Sequence, residues 1–208
     1  MSAVEPDLLA RWTAVVGSGE ASRLCWTDLV SRWSEPHRLY HDIAHLVAVL
    51  SIVDAHDGAT NDGDAVRLAA WYHDAVYDPT RSDNEERSAE LSQASLSTLG
   101  VEPETAGEVS RLILVTKTHQ YDAADADAAL LCDADLSILA APPEAYVRYA
   151  NAVRGEYAHV SDEAFRTGRT AVLDSLLARD RLFGTAAFSA LEEPARDNLR
   201  AELVLLRH

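Results

Sequence analysis

The sequence has few of the residues that interrupt helices, with 9 glycines and 7 prolines among its 208 residues. Alanine and leucine are abundant, which favours helix over strand. Aromatic and β-branched residues do not gather into alternating runs of strand length, so the patterns that are typical of sheets are missing. We therefore predict an all-α fold.

Cysteine and long apolar runs are scarce as well. Cys25 and Cys132 are the only cysteines, and each lies in an apolar helical pattern, which is typical of reduced core thiols rather than of a disulfide framework. No apolar run approaches the ~18–20 residues needed to cross a membrane. Residues 1–7 lack the basic segment and apolar stretch of a secretory leader. We expect a soluble cytoplasmic protein with no membrane partner.

Positive charge is the third scarcity. The chain has 18 basic residues against 34 acidic ones, a net charge of −16, and Lys117 is its only lysine. Such a chain repels a polyphosphate backbone, so we expect no nucleic-acid partner. Most of this acidity serves solubility. An acidic protein that handles phosphates still needs a local positive centre, either a metal ion or a few arginines.

Helical periodicity recurs along the chain between short breaks. The loops are short and the sequence contains no internal repeat, so we predict a single domain. The helices are expected at about residues 8–16, 24–33, 41–56, 64–77, 83–100, 103–118, 128–140, 143–159, 161–179 and 182–206, the last segment forming one or two helices.

The most informative segment is residues 68–77, which is apolar nearly all round and contains His73 and Asp74. This pattern predicts a buried helix. An ionised aspartate is costly there unless a cation or hydrogen bonds compensate its charge. A divalent metal ion would do so and would explain the adjacent imidazole, because neighbouring side chains ~100° apart on a helix can both reach a cation lodged against it.

Further ligands are expected among histidines and aspartates on other apolar helices. His45 lies on the inner side of its predicted helix. Asp135 shares a helix face with three apolar residues at spacings of three and four. Asp133 competes for the same role, and periodicity favours Asp135. Hydrogen bonding of these histidines and aspartates to one another, without any metal, is the alternative.

A histidine, a later adjacent His-Asp pair and a final aspartate, in this order, resemble the signature of the HD superfamily of metal-dependent phosphohydrolases. The likeness extends over about residues 25–205 to motifs of a small bacterial group of HD-type proteins. These motifs are residues 38–45, 71–77, 84–89, 133–139, 154–157 and 168–169. The resemblance implies one compact HD-type helical bundle over residues 1–208, with a metal-site core at about 25–140 and a C-terminal helical extension at about 141–208.

The same resemblance implies metal ligands at His45, His73, Asp74 and either Asp135 or Asp133. A mixed imidazole and carboxylate set suits one divalent ion of Mn, Fe, Co, Ni, Mg or Zn. The implied activity is hydrolysis of a phosphate ester or anhydride of a small metabolite, first of all a nucleotide, by a metal-activated water. The alternatives are a catalytically silent module that keeps the metal site and senses a nucleotide or other ligand, and a helical scaffold without a site. Both a monomer and a homodimer are compatible with the acidic surface.

Three nearby residues are candidates for catalysis. His41 precedes His45 by one helical turn, so both side chains can face one site, and His41 and His119 are the candidate general acids. Some HD proteins bind a second metal near the position of His119, but they carry a histidine where this chain has Asn84 and Glu85. We therefore expect a single ion, with His119 lining the pocket. Glu85 either contacts the attacking water or only caps its helix.

Arg38 and Arg154 are the candidates for binding the substrate phosphate, because a planar guanidinium can donate to two oxygens at once. The alternative for each is an arginine that only solvates a helix face. Trp12, Trp26 and Trp33 are expected to pack between helices rather than to stack on a base.

Overall fold

The computed structural model describes residues 4–208, without the side chains of residues 4–6 and 57. Over this range the chain forms ten α-helices and no β-strand, which confirms the all-α prediction. None of these helices is both long and apolar enough to cross a membrane. The helices are α1 (Val4–Val16), α2 (Glu20–Trp33), α3 (Ile43–Ala55), α4 (Gly63–Tyr72), α5 (Asn84–Thr98), α6 (Pro103–Thr116), α7 (Ala126–Leu136), α8 (Pro143–Glu156), α9 (Asp162–Leu177) and α10 (Glu192–Arg207). Short 3-10 segments lie at Asp57–Ala59, Ser137–Ala140 and Ala186–Leu191.

Polar caps and prolines set where several helices begin. Four cap side chains accept backbone N–H groups of the first helical turn, and they belong to Asp42, Asp62, Asp125 and Ser161. Pro103 and Pro143 begin α6 and α8, at positions where no N–H donor is required. The cap at Asp42 matters most for the site, because it fixes the first turn of α3, where His45 lies.

The helix predicted at residues 128–140 is shorter than expected. α7 ends at Leu136 and a 3-10 segment follows. The side-chain amide of Asn198 on α10 binds the end of this 3-10 segment by donating to the carbonyl oxygens of Leu139 at 2.9 Å and Ala141 at 2.8 Å. α10 itself is the single helix of the last predicted segment, and it starts only at Glu192.

A first apolar core is built from α1 to α7. Its largest buried side chains are Trp12, Trp33, Trp71 and Tyr72. The Trp12 and Trp71 rings meet edge to face with centroids 5.4 Å apart, and Trp33 Nε1 donates to the carbonyl oxygen of Trp71 at 3.0 Å. Because Trp12 belongs to this core, α1 packs together with the helices that follow it.

A second apolar core joins the segment Ser137–Ala140 to α8, α9 and α10. It contains a buried ion pair, in which Arg169 Nε lies 2.7 Å from Glu202 Oε1. The hydroxyl of Tyr146 donates to Glu202 at 2.5 Å, and Arg169 also donates to the hydroxyl of Tyr149 at 3.2 Å. Buried charges are tolerated when their remaining donors and acceptors are bonded in this way.

Asp133 connects the two cores. It lies on α7 in the first core and binds the loop that follows Phe183 of the second core. Its buried carboxylate accepts hydrogen bonds from Gly184 N at 2.7 Å, Thr185 N at 2.8 Å and Thr185 Oγ1 at 2.6 Å. Burial raises the pKa of Asp133, against the opposing effect of these bonds. The alternative fourth ligand is therefore engaged with this loop, and the structure does not bring it to the other candidate ligands.

We expect Asp133→Ala to lower the free energy of unfolding by about 3 kcal/mol, because it leaves two backbone N–H groups without their acceptor. Urea denaturation measures the loss. The matched control is Asp174→Ala, which removes an exposed pair with Arg207 and should cost less than about 1 kcal/mol. Equal losses in the two variants would show that Asp133 does not hold the two cores together.

Candidate metal centre

His45 is positioned by the start of α3. Asp42 Oδ1 accepts the N–H groups of Ala44 at 2.8 Å and His45 at 3.2 Å. The imidazole is buried, with 5 % of the residue exposed, and its ring lies near those of Trp33 and Tyr40. Its direction is thus fixed by a helix cap on one side and aromatic packing on the other.

His73 lies in a turn rather than inside a helix. The predicted helix continues to about residue 77, but α4 ends at Tyr72. His73 Nδ1 lies 2.9 Å from the carbonyl oxygen of Ala70. A carbonyl oxygen can only accept, so Nδ1 carries the proton and, in the neutral ring, Nε2 presents a lone pair. This is the tautomer that a metal ligand requires.

Arg38 binds the turn that follows α4. Its buried guanidinium donates to the carbonyl oxygens of Asp74 at 2.8 Å, Ala75 at 3.3 Å and His41 at 2.9 Å. The side chain has no exposed surface. The sequence predicts that Arg38 binds the substrate phosphate; in the structure its donors are engaged by these carbonyl oxygens and by Glu35, and it lies beneath the site.

Three ligand atoms converge beside this turn. His45 Nε2 lies 3.2 Å from His73 Nε2 and 3.1 Å from Asp135 Oδ1, while His73 Nε2 lies 3.7 Å from the same oxygen. The three residues form a mutually close group that could hold a metal ion. Asp74 borders the group, with Oδ2 at 3.4 Å from His73 Nε2. We call the side chains of His45, His73, Asp74 and Asp135 the metal cluster, meaning the candidate ligands of one metal ion.

The spacing within the metal cluster fits one shared cation. Two donor atoms that bind one ion at ~2.1 Å, at angles of roughly 90–110°, lie ~3.0–3.4 Å apart. Among His45, His73 and Asp135, two of the three separations, at 3.1 and 3.2 Å, fall in this range, and the third, at 3.7 Å, is slightly longer. Asp74 lies 3.4 Å from His73 but is not part of this mutually close group. The lone pair on His73 Nε2 also requires a partner, either a hydrogen-bond donor or a cation. Mixed imidazole and carboxylate donors suit a divalent transition metal.

Asp135 is shared between the metal cluster and His119. His119 Nε2 lies 2.9 Å from Asp135 Oδ2. Burial opposes ionisation of Asp135, but its hydrogen bonds with His119 and His45 outweigh that effect and hold its pKa well below the ordinary value. The carboxylate is therefore ionised and brings a full negative charge to the cluster.

His119 has an unusual backbone. It is the one non-glycine residue with positive φ, 50°, among residues 4–208, in the left-handed region that side chains disfavour. Arg179 supports this conformation by donating to the carbonyl oxygens of Thr118 at 2.7 Å and His119 at 3.3 Å. The strained turn directs the imidazole of His119 toward Asp135.

Glu156 of α8 organises the other side of the site, and sequence reasoning did not single it out. Its Oε1 accepts the backbone N–H groups of Leu39, Tyr40 and His41 at 2.8–3.0 Å. Its Oε2 lies 2.7 Å from His41 Nδ1 and accepts the hydroxyl of Tyr77 at 2.8 Å. A spacing of three from the buried Val153 is the only local signal that Glu156 faces inward.

The pair of Glu156 and His41 is charged on both sides. Burial opposes ionisation of Glu156, but its bonds with His41 and the backbone lower its pKa to about 2. Burial also disfavours the charged imidazole, yet the bond to Glu156 and the charges of Asp74 and Asp135 raise the pKa of His41. An ionised carboxylate only accepts, so His41 Nδ1 donates to it and His41 Nε2 is left for another partner.

Two cavities meet at the metal cluster. The smaller, of about 380 Å³, is lined by Asp74 and Glu85, and the larger, of about 580 Å³, by Arg169 and Arg179. Four residues line both: His41, Lys117, His119 and Asp135. Burial, followed by the charge of Asp74, raises the pKa of the half-buried Glu85. The structure thus brings the candidate catalytic residues Glu85, His41 and His119 to the same space.

Arg154, the second predicted phosphate-binding residue, lies away from the metal cluster. Its guanidinium pairs with Asp162 at 2.5 Å and donates to the carbonyl oxygens of Tyr157 and Val160. These contacts fix the turn between α8 and α9. Neither cavity at the metal cluster includes Arg154 among its lining residues, so nothing in its position supports phosphate binding there.

No protein-family model, curated protein or solved structure matches this chain. The likeness to HD phosphohydrolases therefore remains a resemblance of motifs. What the site can do has to be inferred from the chemistry of its own residues.

We expect Glu156→Ala to lower the free energy of unfolding by about 3 kcal/mol, because three backbone N–H groups lose their acceptor. Glu156→Gln should cost less, since its amide oxygen still accepts them.

The charge contribution has a defined pH window. Glu156, with its pKa lowered from 4.5 to about 2, stabilises fully above 4.5 and loses this effect as the pH falls toward 2. His41, with its pKa raised from 6.5, stabilises fully below 6.5 and loses this effect as the pH rises through its raised pKa.

The difference between wild type and Glu156→Gln should therefore be largest between pH 4.5 and 6.5, the ordinary values of the two groups. Urea unfolding over a pH series measures it. A difference that stays constant across that series would rule out the charged pair.

Proposed function

We propose that the protein is a metal-dependent phosphohydrolase that cleaves a phosphate ester or anhydride of a small metabolite, with nucleotides as the first candidates. One observation carries the proposal. Ring nitrogens of His45 and His73 and a carboxylate oxygen of Asp135, from three separate parts of the chain, face one another at 3.1–3.7 Å beside two cavities. A donor set that a small molecule can approach favours catalysis over a closed structural site.

His45, His73, Asp74 and Asp135 would hold one divalent ion. Such an ion, when bound, supplies positive charge to phosphoryl oxygens and an activated water. The protein prepares this donor set in advance: Ala70 fixes the tautomer of His73, and the bonds with His119 and His45 keep Asp135 ionised. Both features are typical of metal ligands supported by neighbouring groups.

His41 is the residue we assign to protonation of the leaving group. Its Nδ1 donates to Glu156, so Nε2 is the nitrogen that can transfer a proton. The raised pKa of His41 favours the protonated ring, as a general acid requires. Glu85, across the smaller cavity with a pKa raised by burial, is the corresponding candidate to accept a proton from the attacking water.

Positive side chains at the cavities support an anionic substrate. Lys117 lines both cavities, and Arg179 lines the larger one. Lys117 pairs with Glu86, whereas Arg179, within residues 4–208, donates to the backbone carbonyl oxygens of Thr118 and His119 rather than to a carboxylate. In a chain of net charge −16, this local cation attracts phosphate toward the metal cluster.

Elemental analysis of the purified protein should find about one equivalent of a divalent metal in the wild type. His73→Ala, Asp74→Ala and Asp135→Ala should lose it, because each removes a donor from the metal cluster. Asp133→Ala should keep it despite its lower stability, and His159→Ala, at an exposed histidine, is the neutral control. Wild-type protein that holds no metal even after reconstitution would mean that these side chains only bond to one another.

Phosphate release from nucleoside mono-, di- and triphosphates and from simple phosphomonoesters should depend on the bound metal and stop after chelation. His41→Asn should lower kcat by about 100-fold or more, the usual contribution of a general acid, with unchanged metal content. A metal-loaded protein that hydrolyses nothing on this panel contradicts the proposal. A nucleotide that raises its Tm and survives long incubation would instead favour a sensing module.

A further inference from the structure

The two cavities at the metal cluster differ in chemistry. The lining of the smaller cavity contains no aliphatic side chain; alongside the cluster it has groups such as Arg81, Ser82 and Glu85. These groups suit water and phosphoryl oxygens. Apart from the rings of Tyr77 and Tyr157, the lining is polar or charged, and covering such groups without hydrogen-bond partners is unfavourable.

The larger cavity has an apolar wall. Leu136 and Ile138 line it from the end of α7 and the following 3-10 segment, and Val172 and Leu176 line it from α9. Val172 is 51 % exposed, so an apolar side chain stands uncovered inside a concave surface. A ligand that covers this wall gains roughly 25 cal/mol for each Å² of apolar area removed from water.

An aromatic ring is held in place beside this wall. Tyr149 meets Tyr40 edge to face, with ring centroids 4.6 Å apart, and the guanidinium of Arg169 lies 5.2 Å from its centroid. Arg169 is fixed in turn by Glu202. A rigid aromatic ring next to aliphatic side chains is a surface that favours planar or apolar ligand groups.

We propose that the larger cavity binds an apolar or aromatic organic group of the substrate while its phosphate lies at the metal cluster. This inference rests on the proposed phosphohydrolase function and specifies its substrate class. The two cavities share His41, His119 and Asp135, so one molecule can span both. The volume of about 580 Å³ suits an organic group the size of a nucleoside or smaller. Val172 and Tyr149 are the specificity-determining residues.

Calorimetric titration with two phosphonates, whose carbon–phosphorus bond resists hydrolysis, tests this assignment on the full-length, metal-loaded protein. The wild type should bind 1-naphthylphosphonate at least about tenfold more tightly than methylphosphonate, because only the former covers the apolar wall. Val172→Asp should abolish the preference by placing a charge on that wall. Val172→Ala should reduce it by about threefold. Val147→Asp is the matched control, at a valine that is also 51 % exposed and lies outside the cavity.

Equal affinity for the two phosphonates, no binding of either, or equal effects of Val172→Asp and Val147→Asp would overturn the inference. So would tighter binding of propane-1,3-bisphosphonate than of the naphthyl compound, which would place a second anionic group near Arg179. Failure of the proposed function has a different signature. A naphthyl preference that Val172→Asp abolishes, in a protein that hydrolyses no ester, supports the cavity assignment and contradicts the phosphohydrolase.

Discussion

One buried guanidinium holds the ligand-bearing segments together. Arg38 donates to carbonyl oxygens on the segment before α3 and on the turn after α4, so the two are fixed against each other. The spacing of His45 and His73 depends on this interaction, because each histidine lies within four residues of a carbonyl that Arg38 binds. The positive charge is tolerated in the interior because these acceptors and the carboxylate of Glu35 at 3.0 Å satisfy it.

Glu156 complements Arg38 with the opposite charge. Arg38 donates to carbonyl oxygens, whereas Glu156 accepts the N–H groups of the three residues that follow Arg38 in the chain. Between them, the two side chains bond backbone groups of the segment before α3, as buried backbone polar groups require. Because Glu156 comes from α8, the C-terminal helices take part in the site through His41 and through the walls of the larger cavity.

Local sequence predicts the fold class and the inward direction of the ligand residues, because both follow from helical periodicity. His45 and Asp135, expected on inner faces, lie together with His73. Contacts between residues that are distant in sequence do not follow from periodicity. The bond between Arg38 and the turn after α4 spans 36 residues of sequence, and the role of Glu156 depends on bonds that span 115 to 117 residues. Periodicity also cannot show whether an arginine already has partners, which is why Arg38 and Arg154 look available in the sequence. The hydrolase activity stays a prediction.

Asp133 and Asp135 of α7 have partners that lie in different directions. Side chains two residues apart on a helix point to nearly opposite sides; Asp133 bonds to the loop at Gly184, and Asp135 faces the histidines. Rotation of α7 about its own axis would break bonds on both sides at once. The direction in which Asp135 points from the axis of α7 is thus fixed before any ion binds. An ion that binds this cluster does not have to reorient Asp135. Its radius must match the distances between donor atoms that α7 has already set.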